Sequence, residues 1–243
     1  FGLRGTIDPK STPELANKIL TARYSLRDRL TAPDVADLIE TFDQEKYNHN
    51  ASVAENLLFG NVVGDTFDME ALGSNEHVVA VLDKIGLTEQ MIEIGYAAAS
   101  TMAEIFADVP SDHELFQQYA FISADELQDF QALLTRVDRE KLVDARDEDR
   151  KALLSLPFKL VPARHRLGLI DDAVMDKILE GRKAFRETLP QEMANAVEFF
   201  DAEFYNSASN LQDNILFGKV AYGVPKAADR IGELISEVIE TEG

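Results

Sequence analysis

Residues 171–189, DDAVMDKILEGRKAFRETL, carry the clearest periodic signal in the chain, with Val174, Ile178, Leu179, Phe185 and Leu189 marking one face at helical spacing. A helix with one apolar face needs a helical neighbour, and similar spacing recurs through most of the 243 residues. It predicts helices at about 12–29, 33–41, 52–59, 75–85, 88–107, 111–120, 123–136, 147–155, 171–188, 190–199, 210–217 and 225–240. Ser52-x-x-Glu55, Ser111-x-x-Glu114 and Ser123-x-x-Glu126 have the spacing at which two side chains satisfy the open N–H groups of a first helical turn. Thr12-Pro13 places a proline where its missing N–H costs nothing. Gly60, Gly86 and Gly218 follow apolar stretches as left-handed helix stops. Extended segments are expected only within 61–67 and 157–168, because Pro157 and Pro162 bias the residues before them away from helix. The expected fold is all-α or nearly so, an irregular multi-helix unit. With no Gly/Ser-rich or Pro-rich linker, residues 1–243 read as a single helical domain.

Composition narrows the function. The chain has 24 Lys and Arg against 44 Asp and Glu, a net charge of −20, which repels nucleic-acid phosphates and anionic lipid headgroups. Nucleic acid is therefore not an expected partner. Without cysteine there is no disulfide, thiolate nucleophile or Cys-ligated metal, and a reducing cytosolic setting fits. No apolar run approaches the roughly 18–20 residues of a membrane helix, so direct membrane insertion is not expected. The sequence begins at Phe1 instead of Met and reads as part of a longer parent.

Two segments repeat. At an offset of 158, FDQEKYNHNASVAENLLFGNV (42–62) and FDAEFYNSASNLQDNILFGKV (200–220) agree at ten of twenty-one positions, far above chance. The expectation is an internal two-fold sequence repeat whose copies bracket a helical insert, 63–199. Each copy reads as a turn, a capped short helix and a glycine stop that buries Leu58/Phe59 and Leu216/Phe217. Tyr47, Asn48, Tyr205 and Asn206 precede the two short helices, and as loop Tyr and Asn residues they are the first candidates for partner recognition.

ASVAENLLFG (51–60) and SNLQDNILFG (209–218) resemble the T-V-x-E-N-I-L-F-G stretch that follows the Q-loop in the ATPase domains of exporter-type ABC transporters. The resemblance implies that Gln44, eight residues before Ser52, stands at the Q-loop glutamine position, where the second copy has Ala202. It covers under a fifth of the chain. The parts that hold nucleotide in that family are missing: there is no G-x-x-x-x-G-K-[ST] loop, no L-S-G-G-Q signature and no apolar strand ending in Asp-Glu. Gly218-Lys219 is the only Gly-Lys pair, and Asp213 and Val220 stand where that loop requires Gly and Ser/Thr.

What the resemblance implies is therefore an accessory or regulatory insertion in the helical region of an ABC transporter ATPase subunit. Such an insertion is cytoplasmic at the inner face of the cell membrane, acts through protein contacts and is not itself an enzyme. ATP and Mg²⁺ are implied for the parent only, and no cofactor for this stretch. The partners implied are the rest of the parent ATPase, its membrane helices and a possible further protein. The alternative is a free-standing helical adaptor or small-ligand-binding protein unrelated to such transporters.

Other chemistry finds little footing. His49, His77, His113 and His165 form no E-x-x-H or H-E-x-x-H pair, so no metal is expected. G-x-S-x-G is absent. The acids at 144–149 and Asp171-Asp172 read as helix starts and solvated faces. The basic run Lys159, Arg164, His165 and Arg166 reads as pairing with the protein's own acids. Asn50-Ala51-Ser52 fits the glycosylation pattern but is set aside because Ser52 reads as a helix cap. Ala97-Ala98-Ala99 and Ala103 read as the close-packing face of a buried helix.

Overall fold

The computed structural model describes residues 3–242. In chain order the elements are α1 (Pro13–Arg29), β1 (Ile39–Thr41), α2 (Val53–Leu58), β2 (Gly60–Val62), α3 (Glu76–Lys84), α4 (Thr88–Ile105), α5 (Glu114–Tyr119), α6 (Ala124–Arg136), α7 (Asp147–Ser155), α8 (Pro162–His165), α9 (Asp172–Thr188), β3 (Val197–Phe199), α10 (Leu211–Leu216), β4 (Gly218–Val220) and α11 (Ala227–Glu242). Helix accounts for 58% of the chain and strand for 5%, so the expected mostly helical architecture holds. No helix among the described residues is long and apolar enough to cross a membrane.

Two of the four strands, β1 and β3, fall where helices were expected, while β2 overlaps the expected extended stretch 61–67. Residues 33–41 and 190–199 each split into a short 3-10 turn, Ala36–Leu38 and Gln191–Met193, followed by a three-residue strand. β1 pairs antiparallel with β4, setting Ile39 opposite Val220, and β2 pairs antiparallel with β3, setting Val62 opposite Val197. Ladder hydrogen bonds to distant partners thus override the local helical spacing. Within 157–168, Leu160 and Val161 are extended, the second of them just before Pro162 as expected, but the stretch forms no strand. Pro157 and Pro162 each open a turn of helix, Pro157–Lys159 and α8, which is where proline's fixed φ fits.

Where one domain was expected, the chain divides into two compact units. The first is Phe1–Ala51, Leu58–Thr66 and Pro190–Gly243, and the second is Ser52–Leu57 with Phe67–Leu189. In the first unit α1 packs on α10 and α11 around Leu26, Ile215, Ile231, Ile235 and Val238. Both two-stranded sheets lie in this unit. In the second unit α4 packs against α6 and α7, and α3 against α9, with Phe67, Leu82, Met91, Ile92, Phe158 and Phe185 fully buried. Of the alanines expected to form a close-packing face, Ala98 and Ala99 are fully buried on α4, while Ala97 and Ala103 are half-buried. The closest approach is at Gly95, where a Cβ would stand 1.9 Å from the Leu153 carbonyl oxygen of α7.

Helix starts follow the sequence at two of three sites. Ser52 and Glu55 exchange hydrogen bonds at 2.8 and 3.1 Å, and Ser123 and Glu126 do so at 2.7 and 3.2 Å. At α5 the cap is not Ser111 but His113, whose Nδ1 accepts the Leu115 N–H. The nearer ring nitrogen reaches the open amide and shortens the helix by a turn. Asp171 caps α9 by accepting from the Val174 N–H at 2.9 Å.

Candidate functional site

The second repeated segment and the two ends of the first, 42–51 and 58–62, lie in the first unit, where their phenylalanines meet. Phe42 and Phe200 stack with ring centroids 4.1 Å apart, and Phe59 and Phe217 meet that pair edge-on at 5.6–6.2 Å. Backbone bonds reinforce the cluster, since the Phe42 N–H donates to the Phe217 carbonyl and the Phe200 N–H to the Phe59 carbonyl. Beside it lies a hollow of about 220 Å³ lined partly by Phe42, Phe200, Asn61 and Asn206.

Gly86 has the expected left-handed backbone, φ +66°, but Gly60 and Gly218 do not act as left-handed stops. The left-handed residues are the phenylalanines before them, Phe59 (φ 47°) and Phe217 (φ 42°). Each glycine is needed for a different reason. A Cβ on Gly60 would stand 2.6 Å from the Glu198 carbonyl oxygen, and a Cβ on Gly218 would stand 2.6 Å from that of Glu40. Gly60→Ala and Gly218→Ala are each expected to cost about 1–3 kcal/mol through forced strand separation. Urea denaturation checks this, and an unchanged midpoint would mean that the strands yield without cost.

Around the cluster, two loops are organised by one carboxylate each. Glu40 takes the Asn50 N–H and side-chain amide on Oε2 at 3.0 and 2.8 Å and pairs with His49 Nδ1 at 2.8 Å. Glu198 accepts from the Ser207 N–H at 2.7 Å, the Ser207 hydroxyl at 2.6 Å and the Ala208 N–H at 2.9 Å. The Asn48 amide donates to the Glu40 carbonyl and the Asn206 amide to the Glu198 carbonyl, at 2.8 and 2.9 Å.

These contacts correct the expected recognition set. Tyr47, Asn48, Tyr205 and Asn206 are 7, 5, 8 and 6% exposed, so they are interior residues and not loop contacts. An asparagine that bonds the backbone eight residues earlier draws its loop inward, and the neighbouring tyrosine goes with it. Gln44 is exposed in the turn after β1, and Ala202, its counterpart in the second copy, is half-buried.

Two residues that the sequence reading passed over hold the short helices. In the first unit, Arg23 of α1 is 4% exposed and donates from Nε to the Asn214 carbonyl at 2.7 Å and from Nη2 to Asn214 Oδ1 at 3.1 Å. Its Nη1 serves the carbonyls of Asp201, Ala202 and Phe204 at 2.7–3.1 Å, and the guanidinium lies 4.6 Å from the Phe217 ring centre. Burial lowers its pKa to about 10, so it remains a cation at neutral pH. In the second unit, Arg182 of α9, also 4% exposed, donates to the Asn56 carbonyl at 2.7 Å and to Asn56 Oδ1 at 3.2 Å. A signal was present: Lys18-Ile19-Leu20-x-x-Arg23 recurs as Lys177-Ile178-Leu179-x-x-Arg182, at an offset of 159.

The remaining histidines and basic residues have structural posts. His77 lies against Phe67 and Phe185. Among the described residues no cluster of three or more His, Asp or Glu is arranged to hold a metal. Lys159 pairs with Glu70 and Glu126, while Arg164 and Arg166 donate to the carbonyls of Gln118 and Ala163. Lys159 thus meets acids, as expected for the run.

His165 Nδ1 accepts the Val161 N–H at 3.0 Å, so the ring is neutral with its proton on Nε2. Burial, helped by Arg164, lowers its pKa to about 4. The unfolded chain takes up this proton near pH 6.5 and the folded chain only near 4, so this stability is complete above 6.5 and declines as pH falls toward 4. His165→Phe is expected to flatten that part of the profile. Urea midpoints at pH 7.5 and 5 for both proteins check it, and equal slopes would refute it.

Comparison with protein-family models, with curated proteins and with solved structures gives no match. The arrangement supplies rigid, buried scaffolding at the repeated segments. Its functional reading rests on their residues and on how the chain enters and leaves them.

Proposed function

We propose that this chain is an accessory, regulatory domain of the ATPase subunit of an exporter-type ABC transporter, cytosolic at the inner face of the cell membrane and working through protein contacts. One observation carries the reading. Val62 stands opposite Val197 and the Val63 N–H donates to the Ala196 carbonyl at 2.8 Å, so residues 63–196 leave and return at a single point. An insertion into an existing domain needs its two ends adjacent in this way. The stretches flanking that point are those that resemble the segment after the Q-loop.

The same reading takes the two segments as copies of one module. Their elements support it, since β1, α2 and β2 recur at an offset of 158 as β3, α10 and β4. In each case a buried arginine from a long helix holds the asparagine of the E/D-N-x-L-F-G stretch. ATP and Mg²⁺ belong to the parent, as do the partners, which are the remainder of the ATPase subunit and its membrane helices. When ATP closes the parent dimer, a domain rooted in these segments moves with them, and a protein docked on it senses the nucleotide state.

The first test is the reading frame on either side of this stretch. A phosphate-binding G-x-x-x-x-G-K-[ST] loop upstream, with a signature and Walker B strand downstream, is the expected result. A frame without them would overturn the proposal and leave a free-standing helical adaptor or ligand-binding protein. In the full-length parent, partner affinity that is equal with and without ATP would refute the coupling.

A further inference from the structure

In the second unit, a groove of about 560 Å³ runs between α6 and α7, within the size range of small-ligand sites. Its floor is apolar, formed by Phe130, Leu133, Ala152 and Leu156. Its two ends differ in charge. At the end formed by the start of α6, Lys159, whose side chain is 11% exposed, bridges Glu126 at 2.7 Å and Glu70, so two carboxylates share one ammonium. Asp129 adds negative charge on the same stretch of α6. At the other end two guanidiniums share one carboxylate, because Asp149 accepts from Arg136 at 2.6 Å and from Arg146 at 2.9 Å. The contacts to Asp149 use Nε and Nη2 of each arginine, which leaves both Nη1 groups outside the pairing. The other charges in the wall nearly cancel, since Glu148 and Lys151 lie on the same turn of α7 and Lys151 also pairs with Asp147.

The groove is therefore a dipole with an apolar middle. Ten residues of α6 separate Glu126 from Arg136, a span of about 15 Å at 1.5 Å per residue. An extended chain covers about 13–14 Å in four residues. We propose that the groove binds a short extended peptide of about four residues by its two free ends. The amino terminus lies at Glu70, Glu126 and Asp129, the carboxylate lies on Arg136 and Arg146, and apolar side chains lie over Phe130 and Leu133. This inference stands on the second unit alone and is independent of the transporter reading.

Isothermal titration of the whole chain with the tetrapeptide Gly-Leu-Leu-Gly tests it. The free-ended peptide is expected to bind, and N-acetylation or C-amidation should each weaken binding about tenfold or more, the effect of one lost charge contact. Glu70 and Arg146 have side chains 73 and 63% exposed, and when they are replaced Lys159 keeps Glu126 and Asp149 keeps Arg136; circular dichroism checks that the variants stay folded. Glu70→Gln should diminish the effect of acetylation, and Arg146→Gln that of amidation. No binding at millimolar peptide, or binding indifferent to both caps, would overturn the proposal. Sensitivity to amidation alone would also overturn it, by making the groove a simple anion site.

Discussion

Replacing Arg23 by methionine is expected to destabilise the first unit by about 2–4 kcal/mol, because it removes five hydrogen bonds to buried and part-buried acceptors at once. The Asn214 carbonyl and side-chain oxygen, and the carbonyls of Asp201, Ala202 and Phe204, all look to this guanidinium. Asn214 Oδ1 keeps the Asn206 N–H at 2.8 Å and the 201–204 carbonyls are only part-buried, so the Asn214 carbonyl bears the largest share, about 1–3 kcal/mol, and methionine restores the apolar stem without a single donor. Arg23→Lys should recover part of the loss, since an ammonium keeps the charge but lacks the planar fork that spans Asn214 and the 201–204 loop. Urea unfolding followed by circular dichroism measures this. A loss under about 1 kcal/mol would show that water enters and replaces the arginine.

Gly95→Ala is the second large effect, and two terms of opposite sign decide it. Alanine improves helix propensity by about 1 kcal/mol over glycine in the middle of α4. Against this, its Cβ would stand 1.9 Å from the Leu153 carbonyl oxygen and 2.7 Å from the carbonyl carbon, both backbone atoms of α7. No rotamer change relieves that contact, so α7 must shift and loosen the packing against α4. Overpacking of this kind costs about 1–3 kcal/mol and occasionally more; a backbone contact of 1.9 Å belongs at the top of that range, and about 3 less about 1 leaves a loss of about 2 kcal/mol. At roughly 2–4 °C per kcal/mol for a chain of this size, the melting temperature should fall by about 4–8 °C. A rise in melting temperature would mean that propensity outweighs the clash. Gly232→Ala is the control, since nothing lies within 4 Å of its added Cβ.

The long helices were legible because their signals are local. α7 falls on the 147–155 expected from sequence, and α1 and α9 each begin within one residue of theirs. What the sequence hid is non-local. β1 and β3 are three residues long, too short for a periodic pattern, and exist because β4 and β2 supply their partners. The division into units was equally hidden, since one crossing falls within α2, between Leu57 and Leu58, where no glycine or proline marks it. At the candidate site the repeat pointed to the right segments but not to the right surfaces. Tyr and Asn before a helix read as loop contacts, and non-local hydrogen bonds, those of Asn48 and Asn206 to the Glu40 and Glu198 carbonyls among them, make them interior. The arginines escaped notice because a basic residue on an amphipathic helix normally faces solvent.

The pairing of β1 with β4 also sets an order of events during synthesis. Thr41 finds its partner only when Gly218 has been made, so the first unit closes a loop that encloses most of the chain. Residues 67–189 of the second unit are contiguous and able to gather as they emerge. At about 5–20 residues per second, α1 leaves the ribosome roughly ten to forty seconds before α10 and α11. Through that interval the stripe of Ile19, Ala22 and Leu26 stays uncovered, a natural point for a chaperone to engage the nascent chain.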